Sequence, residues 1–204
     1  MNNDEPYNPL AMVNLAHSIV THMEEMEPHP LDTIPRFHGA GLYAIYYSGP
    51  YHAYELLAER SREGDFTEPI YVGKAVPPGG RRGLDDPAGK KTLALGARLR
   101  EHARSIRATA NLEIEDFHAR WLVVEDIWIA LGESAMLRRH RPVWNALVDG
   151  FGNHVPGKGR IDGKRSRWDT IHPGRSWAHK YPERDETLEA IEQDIQEYLR
   201  SRLA

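Results

Sequence analysis

Gly-Leu-Tyr-Ala-Ile-Tyr-Tyr at 41–47 and Pro-Ile-Tyr-Val-Gly-Lys-Ala-Val at 69–76 are the two stretches that decide the fold. Both are rich in aromatic and β-branched residues, which favour strands. Ser48, Gly49 and Pro50 follow the first stretch, and a Pro-Pro-Gly-Gly run at 77–80 follows the second. Such residues end strands in turns or loops. We therefore predict one strand at each stretch.

The rest of the chain supplies one more strand and several helices. A third strand is predicted at 117–124 from its aromatic and aliphatic residues. Helices are predicted where apolar residues recur at helical spacing, at 9–27, 51–62, 93–107, 126–140 and 184–202. The centre of the chain thus has the order strand, strand, helix, strand, helix. This order predicts an α/β (α+β) fold, a small sandwich in which helices flank a mainly antiparallel three-stranded sheet.

The predicted organisation is a single domain over residues 1–204. Its parts are an N-terminal helical extension at 1–37, a core at 38–148, a basic segment at 149–180 and a C-terminal helix at 181–204. An insertion at 49–68 separates the first two strands of the core. The helices at the two ends are additions to the sandwich.

The formal net charge of −4 hides an uneven distribution of charge. Residues 1–33 carry six acidic side chains and no Lys or Arg, and residues 181–204 carry seven acidic side chains and three Arg. Residues 34–180 carry 23 basic side chains against 17 acidic ones. A polyanion would meet this central segment rather than the average charge. The alternative is a solvated surface with acidic ends.

Composition excludes several classes of site. The chain has no cysteine, so it has no disulfide framework, thiolate metal site or cysteine nucleophile. No apolar run is long enough for a transmembrane span, and the acidic N-terminus lacks the pattern of a signal peptide. We therefore expect no membrane association and a cytoplasmic location.

Six polar side chains follow the order of the predicted elements. Tyr43 and Tyr71 occupy equivalent places on the first two strands. Arg98 and His102 are four residues apart on a helix and so share one face. Glu133 lies on the next long helix. Each residue alone has an ordinary structural explanation, such as packing of a strand tyrosine or a solvated helix face. Asn145 completes the set and could equally serve in a turn.

Together, these residues resemble the GIY-YIG nuclease family, with Gly41-Leu42-Tyr43 and Tyr71-Val72-Gly73 as its two motifs. The motifs are further apart here than in the simplest members, because the insertion at 49–68 lies between them. This insertion between the motifs makes the chain similar to the type II restriction endonuclease branch of the family. The stretches that carry the resemblance are GAGLYAIYY at 39–47, PIYVGKAVP at 69–77, ARLREH at 97–102, VDGFGNHVPGKGR at 148–160 and WDTIHPGRSWA at 168–178.

The resemblance implies a homodimeric, site-specific deoxyribonuclease of a prokaryotic cytoplasm. Members of this branch cut both strands of double-stranded DNA at a GC-rich palindrome of the CCGCGG type. Such an enzyme implies a companion DNA methyltransferase that protects the host genome, although not as a stable partner. The terminal helices and the insertion are the surfaces that remain for a dimer. Alternatively, the apolar stripe of the last helix packs on the protein's own core; it consists of Leu188, Ile191, Ile195 and Leu199.

The resemblance also implies a role for each residue of the set. Glu133 would hold one Mg²⁺ (or Mn²⁺) per active site, because such hard ions take oxygen ligands and keep several waters. Tyr43 would lie next to the attacking water as general base or relay. Free tyrosine has a pKa of about 10, so another group must ease its deprotonation. Lys74 could do so by its charge and His102 by accepting the proton, and the sequence leaves both open.

The remaining roles are electrostatic or positional. Arg98 would clamp the scissile phosphate with its forked donors. Tyr71 would position the phosphate or the water, and Asn145 would orient the phosphate or the Glu133 side of the site. Loss of Glu133 or Arg98 is expected to abolish cleavage while leaving the fold intact.

Reading of a GC-rich site favours Arg and Lys, which pair with guanine in the major groove. The alternative for each residue is a contact to phosphate alone. The candidates for DNA binding are Arg81, Arg82, Lys90, Lys91, Arg100, Arg104, His154, Lys158, Arg160, Lys164, Arg165, Arg167 and Arg175.

Three other functions compete with restriction. A repair-type or homing-type nuclease would keep the fold and change the task. A DNA-binding protein without catalysis would have lost a member of the set, and none is missing from this sequence. An RNA-directed enzyme is less favoured, since the sequence offers no clear platform of aromatic residues for single-stranded bases.

Overall fold

The computed structural model of the chain describes residues 7–62, 64–77, 92–153 and 163–203. Within these residues, four strands form one antiparallel sheet in the order β1-β4-β2-β3. The strands are β1 (His29–Pro30), β2 (Gly41–Tyr47), β3 (Tyr71–Ala75) and β4 (Phe117–Val123). The predicted α/β sandwich is confirmed. The prediction of three strands misses β1, which pairs with β4 at the edge of the sheet.

Seven α-helices accompany the sheet in the described part of the chain. They are α1 (Met12–Glu25), α2 (Glu55–Arg62), α3 (Ala94–Arg107), α4 (Asp126–His140), α5 (Val143–Ala146), α6 (Arg167–Ile171) and α7 (Leu188–Leu203). The long helices match the predicted ones within a few residues. The short helices α5 and α6 were not predicted. None of the described helices has the length and apolar character that a bilayer span requires.

The two faces of the sheet are covered by different helices. On one face, Tyr43 and Ile45 of β2 lie in a core with residues of α2, α3 and α7, among them Leu57, Leu99 and Ile195. On the other face, Ala44 and Tyr46 of β2 pack with residues of α1 and α4, which are Ala16, Val20, Met23, Ala135 and Met136. This alternation follows from the period of two along a strand. All seven residues of β2 are buried because both faces are covered.

α4 approaches the sheet closely because Gly132 has no side chain. A Cβ atom at Gly132 would lie 2.3 Å from Leu42 Cδ1 and 2.9 Å from Ile19 Cγ2. Such distances are well inside van der Waals contact. The glycine therefore fixes how near α4, and Glu133 on it, can come to β2.

The C-terminal helix packs on the chain itself. Ile191, Ile195 and Leu199 are buried in the core beside α2, and Leu188 alone of the predicted stripe remains 37% exposed. The stripe therefore serves intramolecular packing, which was the alternative to a dimer surface. Arg60 of α2 also donates to the carbonyl oxygen of Leu203 at 2.7 Å, which ties the insertion to this helix.

Candidate active site

The two motif tyrosines lie side by side on the face of the sheet that α3 covers. In the β2–β3 register Tyr43 is opposite Gly73, and Tyr71 is opposite Ile45. The rings of Tyr43 and Tyr71 have centroids 6.2 Å apart. A Cβ atom at Gly73 would lie 2.3 Å from the Tyr43 hydroxyl oxygen. The glycine of the second motif is thus required for the ring of the first motif to lie across β3.

α3 brings His102 to the hydroxyl of Tyr43. The Tyr43 Oη atom lies 2.7 Å from His102 Nε2, in a hydrogen bond between two buried side chains. Both groups are 1% exposed. Of the two helpers that the sequence left open for Tyr43, His102 is therefore the one in direct contact.

Burial controls the acidity of the tyrosines. Desolvation raises the pKa of Tyr43 well above its ordinary value, and the neighbouring Tyr71 adds to the rise while Arg98 counters it. Burial likewise raises the pKa of Tyr71, again against the lowering effect of Arg98. Removing a charged form from water always favours the neutral phenol. Both tyrosines are therefore neutral in the free protein at ordinary pH.

Arg98 is held in place by two acceptors from the chain. Its Nη1 donates to Glu101 Oε2 at 2.8 Å, and its Nη2 donates to the carbonyl oxygen of Gly152 at 2.8 Å. The side chain is 19% exposed. The guanidinium is thus oriented beside the tyrosines while part of it still reaches solvent.

Lys74 contacts Glu133 rather than Tyr43. In register Lys74 is opposite Leu42, so it lies on the face of the sheet that α4 covers, away from the Tyr43 side chain. Its Nζ lies 2.7 Å from Glu133 Oε2. This position does not favour Lys74 as the group that assists the deprotonation of Tyr43 by its charge. The lysine instead neutralises the proposed metal ligand.

The residues around Glu133 fit a magnesium ion that keeps most of its water ligands. In the part of the chain that the structure describes, no group of three or more His, Asp or Glu side chains could hold a metal. The Glu133 side chain is 21% exposed, so its carboxylate is open to solvent and to a DNA phosphate. Mg²⁺ commonly binds through one or two carboxylates together with waters and substrate phosphates. The described residues therefore suit a Mg²⁺ bound by one carboxylate, waters and a DNA phosphate, rather than a Mg²⁺ whose ligands all come from the protein.

Asn145 is placed differently from its predicted role. Its Oδ1 accepts from the backbone N–H of Val72 and its Nδ2 donates to the Val72 carbonyl oxygen, both at 2.8 Å. The backbone N–H of Trp144 donates to the carbonyl oxygen of Ile70 at 3.0 Å. The start of α5 thus pairs with the open edge of β3 on both sides of Tyr71. Asn145 holds the strand that carries Tyr71, and neither contact is to Glu133.

Apart from Arg175, the residues predicted to bind DNA fall into three groups. Seven lie outside the described residues, namely Arg81, Arg82, Lys90, Lys91, His154, Lys158 and Arg160. On α3, Arg104 is exposed and Arg100 donates to the carbonyl oxygen of Pro35 at 3.4 Å. The third group pairs with acids of the C-terminal segment: Lys164 with Asp185, Arg165 with Glu183, and Arg167 with Glu186 and Asp194.

Arg175 is a correction to that set. Its side chain is 3% exposed and forms an ion pair with Asp169, whose side chain is 2% exposed. An arginine that is enclosed and neutralised in this way has no free donor to offer to DNA. The basic composition of the 149–180 segment suggested a DNA contact, and the buried carboxylate six residues earlier could not be identified from the pattern.

Two residues next to the tyrosines were not identified from the sequence. The ring of Phe151 stacks on His102 with centroids 4.5 Å apart and planes at 20°. Gly152 supplies the carbonyl oxygen that Arg98 binds. Both lie in the stretch 148–160 that carried the resemblance, which was the available signal. A phenylalanine and a glycine have no reactive group that would single them out.

The strands of the two motifs therefore run antiparallel, with Tyr43 and Tyr71 beside His102 and Arg98 on the α3 face. Glu133 pairs with Lys74 on the α4 face, and from there its charge acts on Tyr71. Two antiparallel motif strands with neighbouring tyrosines are what the resemblance to the GIY-YIG class predicts. The family model of the Eco29kI GIY-YIG domain matches residues 35–199. The chain thus belongs to this family of GIY-YIG restriction endonucleases. Comparison with curated proteins gives no match.

Proposed function

We propose that the chain is a type II restriction endonuclease that hydrolyses both strands of double-stranded DNA at a short GC-rich palindrome, with one divalent cation per active site. The observation that carries the proposal is the hydrogen bond of 2.7 Å between Tyr43 and His102 next to Arg98. Family membership supports DNA as the substrate. The palindrome of the CCGCGG type, the homodimer and the companion methyltransferase come from the resemblance.

The pair of Tyr43 and His102 suits a proton relay. A standing phenolate is unfavourable because burial raises the Tyr43 pKa. In the proposed step, the water oxygen attacks phosphorus and passes a proton to Tyr43 Oη as Oη gives its own proton to His102 Nε2. The P–O3′ bond breaks, and the 3′ oxygen leaves with the bonding electron pair and takes a proton from solvent. The phenol stays neutral overall, and His102 ends the step as imidazolium. Such positioned proton transfer contributes about 10²–10⁴-fold to rate.

Arg98 and Glu133 suit the charge that develops on phosphorus. The guanidinium of Arg98 lies beside Tyr43 and Tyr71, where its positive charge can stabilise a phosphate. Mg²⁺ or Mn²⁺, when bound at Glu133, would supply Lewis-acid stabilisation of the phosphate and of the departing 3′ oxygen. Lys74 holds Glu133 at 2.7 Å in the free protein. When the carboxylate takes another partner, the ammonium of Lys74 becomes available to a phosphate.

Digestion of unmethylated plasmid with Mg²⁺ tests this proposal. We expect discrete bands from the wild type, no product from Glu133→Ala and Arg98→Ala, and wild-type bands from Arg139→Ala. Arg139 is the matched control because it lies on α4 like Glu133 and pairs with Glu24 at 2.6 Å.

The other outcomes point to other functions. Nicking or a smear would favour a repair-type or homing-type nuclease, and uncut but retarded DNA would favour a DNA-binding protein without catalysis. A folded Glu133→Ala protein that cuts at the wild-type rate would contradict the metal assignment.

A further inference from the structure

The loop of residues 150–153, here named the site loop, contacts three residues of the candidate active site. Phe151 stacks on His102 at 4.5 Å and meets the Tyr71 ring edge-on at 5.0 Å. The carbonyl oxygen of Gly152 accepts from Arg98. The position of this loop therefore sets the position of two side chains proposed for proton transfer and phosphate binding.

Glycines let the site loop approach its neighbours closely. A Cβ atom at Gly152 would lie 2.7 Å from the Tyr71 hydroxyl oxygen. Gly150 has a φ of +110°, and a Cβ atom there would lie 2.1 Å from Ser166 Oγ. The loop is thus fitted between the active site on one side and the start of α6 on the other.

Arg175 holds the site loop by its backbone carbonyl oxygens. Its Nη2 donates to the Gly150 carbonyl oxygen at 2.9 Å, and its Nη1 donates to the Phe151 carbonyl oxygen at 3.2 Å. The Nε and Nη2 atoms also donate to the two carboxylate oxygens of Asp169, each at 2.6 Å. A fifth contact joins Nη1 to the Asn153 carbonyl oxygen at 3.5 Å. These contacts use all five N–H donors of a guanidinium.

The surroundings of Arg175 fix the plane of its guanidinium. The Cζ atom lies 4.4 Å from the ring centroid of Trp168 and 4.4 Å from that of Trp177. Asp169 is fixed in turn, because Ser166 Oγ donates to its Oδ2 at 2.6 Å. A flat, forked guanidinium can contact both indole rings and still donate to the loop carbonyl oxygens and to Asp169. Lysine would bring three donors on a flexible stem and could not reproduce the fork.

We propose that Arg175, fixed by Asp169, is a positioning residue of the endonuclease, which holds the site loop so that Gly152 orients Arg98 and Phe151 orients His102. The inference rests on the proposed function. It assigns to Arg175 an effect on the rate of the chemical step and none on the electrostatic attraction of DNA.

The test is the variant Arg175→Lys with Arg120→Lys as its matched control. Arg120 is also buried, and its guanidinium donates to the carbonyl oxygens of Met26 and Phe66 at 2.6 Å, away from the active site. We expect kcat to fall by roughly 10–100-fold in Arg175→Lys, because small displacements of catalytic groups have effects of this size. The KM and the salt dependence of DNA binding should stay unchanged. Arg120→Lys should lose thermal stability to a similar extent and keep the wild-type kcat.

Two results would overturn the proposal. The first is a folded Arg175→Lys protein with the wild-type kcat. The second is a raised KM with a shallower salt dependence of binding, which marks a lost phosphate contact. If Arg175→Lys does not fold, Asp169→Asn takes its place in the same measurements, because it keeps the guanidinium and removes the charge that fixes it.

A spectroscopic readout separates this proposal from the proposed function. The ring protons of His102, assigned by their loss in His102→Gln, should shift in NMR spectra of Arg175→Lys or Asp169→Asn as the Phe151 ring moves. If the wild type cuts no DNA, the proposed function fails while this shift still decides whether Arg175 positions the loop. Unchanged His102 resonances in both variants would contradict the positioning role.

Discussion

At the scale of single residues, Tyr43 is governed by its burial. Its hydroxyl contacts His102, and desolvation raises its pKa above the ordinary value of 10.0. A mechanism that needed a standing phenolate would therefore speed up tenfold per pH unit through the whole accessible range. The relay through His102 has no such requirement.

The pH profile of cleavage distinguishes these two mechanisms. We expect the single-turnover rate to reach a plateau below about pH 9, since the proton of Tyr43 passes on to His102 and tyrosine itself ionises only near pH 10 or above. Rapid-quench measurement with Mg²⁺ in excess checks this. If instead the logarithm of the rate rose with unit slope through about pH 9 and above, with no plateau, Tyr43 would have to ionise before the reaction.

His172 makes the fold sensitive to acid. It is fully buried, its Nε2 lies 2.8 Å from the Tyr54 hydroxyl, and burial lowers its pKa from 6.5 to about 3. A histidine with a lowered pKa in the fold binds its proton only on unfolding. Stability is therefore full above pH 6.5 and is lost as the pH falls towards 3.

Urea unfolding at two pH values tests this linkage. Between about pH 7.5 and about pH 5, His172 should account for about 2 kcal/mol of lost unfolding free energy. In His172→Gln the loss over the same interval should be smaller by that amount. An identical pH dependence in the wild type and the variant would show that His172 binds its proton equally readily in the folded and the unfolded state.

Some neighbours within the site follow from the sequence, and others do not. The motif order names Tyr43, Tyr71, Arg98 and His102, and the structure brings these four side chains together. The choice between Lys74 and His102 as the partner of Tyr43 depends on strand register, which places Lys74 opposite Leu42. The prediction that Arg175 binds DNA was wrong because Arg175 forms a buried, neutral pair with Asp169. The spacing of residues in the sequence does not reveal that an ion pair is buried.

At the scale of elements, the edge of β3 is closed by a side chain. The amide of Asn145 makes both hydrogen bonds to Val72 that a neighbouring strand would make. Trp144 adds a backbone bond at Ile70. Tyr71 therefore lies between two fixed backbone positions, on the outermost strand of the described sheet.

Asn145→Asp tests this closure with an isosteric change. The carboxylate replaces the Nδ2 donor with an acceptor that faces the Val72 carbonyl oxygen, so we expect a loss of about 1–3 kcal/mol in unfolding free energy. The cleavage rate should fall as well, because Tyr71 is no longer held. Both quantities are measured on the same preparation.

Asn111→Asp is the matched control for that change. Asn111 also has both ends of its amide bonded, since its Nδ2 donates to the Ile171 carbonyl oxygen at 2.8 Å and its Oδ1 lies 3.1 Å from His172 Nδ1. It should lower stability in the same way and leave the cleavage rate as it is. Equal rates for Asn145→Asp and the wild type would refute the role of Asn145 in holding Tyr71.

The elements differ in how clearly the sequence signals them. β2 and α4 were predicted at their observed bounds, since a continuous apolar run ends at Ser48 and a helical pattern ends before Pro142. β1 consists of only His29 and Pro30, too short for any alternation to show. α5 has four residues, and its function depends on a strand some 70 residues earlier in the chain.

At the scale of the whole molecule, the terminal additions have unequal roles. The apolar side of α7 packs against the insertion and the core. α1 covers the other face beside α4, and large apolar side chains remain exposed near its start, at Leu10, Met12 and Val13. Acidic residues of 181–204 pair with basic residues of 149–180, as Glu186 does with Arg167. The positive charge predicted for 149–180 is thus partly neutralised within the protein.

The most direct test of the account is the rate at which both strands are cut in two matched duplexes. One duplex carries a single CCGCGG site, and the other has one base pair changed in each half-site. With Mg²⁺ and enzyme in excess, we expect the intact site to be cut at least about 30-fold faster, because each of the two changed base pairs costs about 1–3 kcal/mol. Equal rates on the two duplexes, or no cleavage of either, would contradict a site-specific endonuclease.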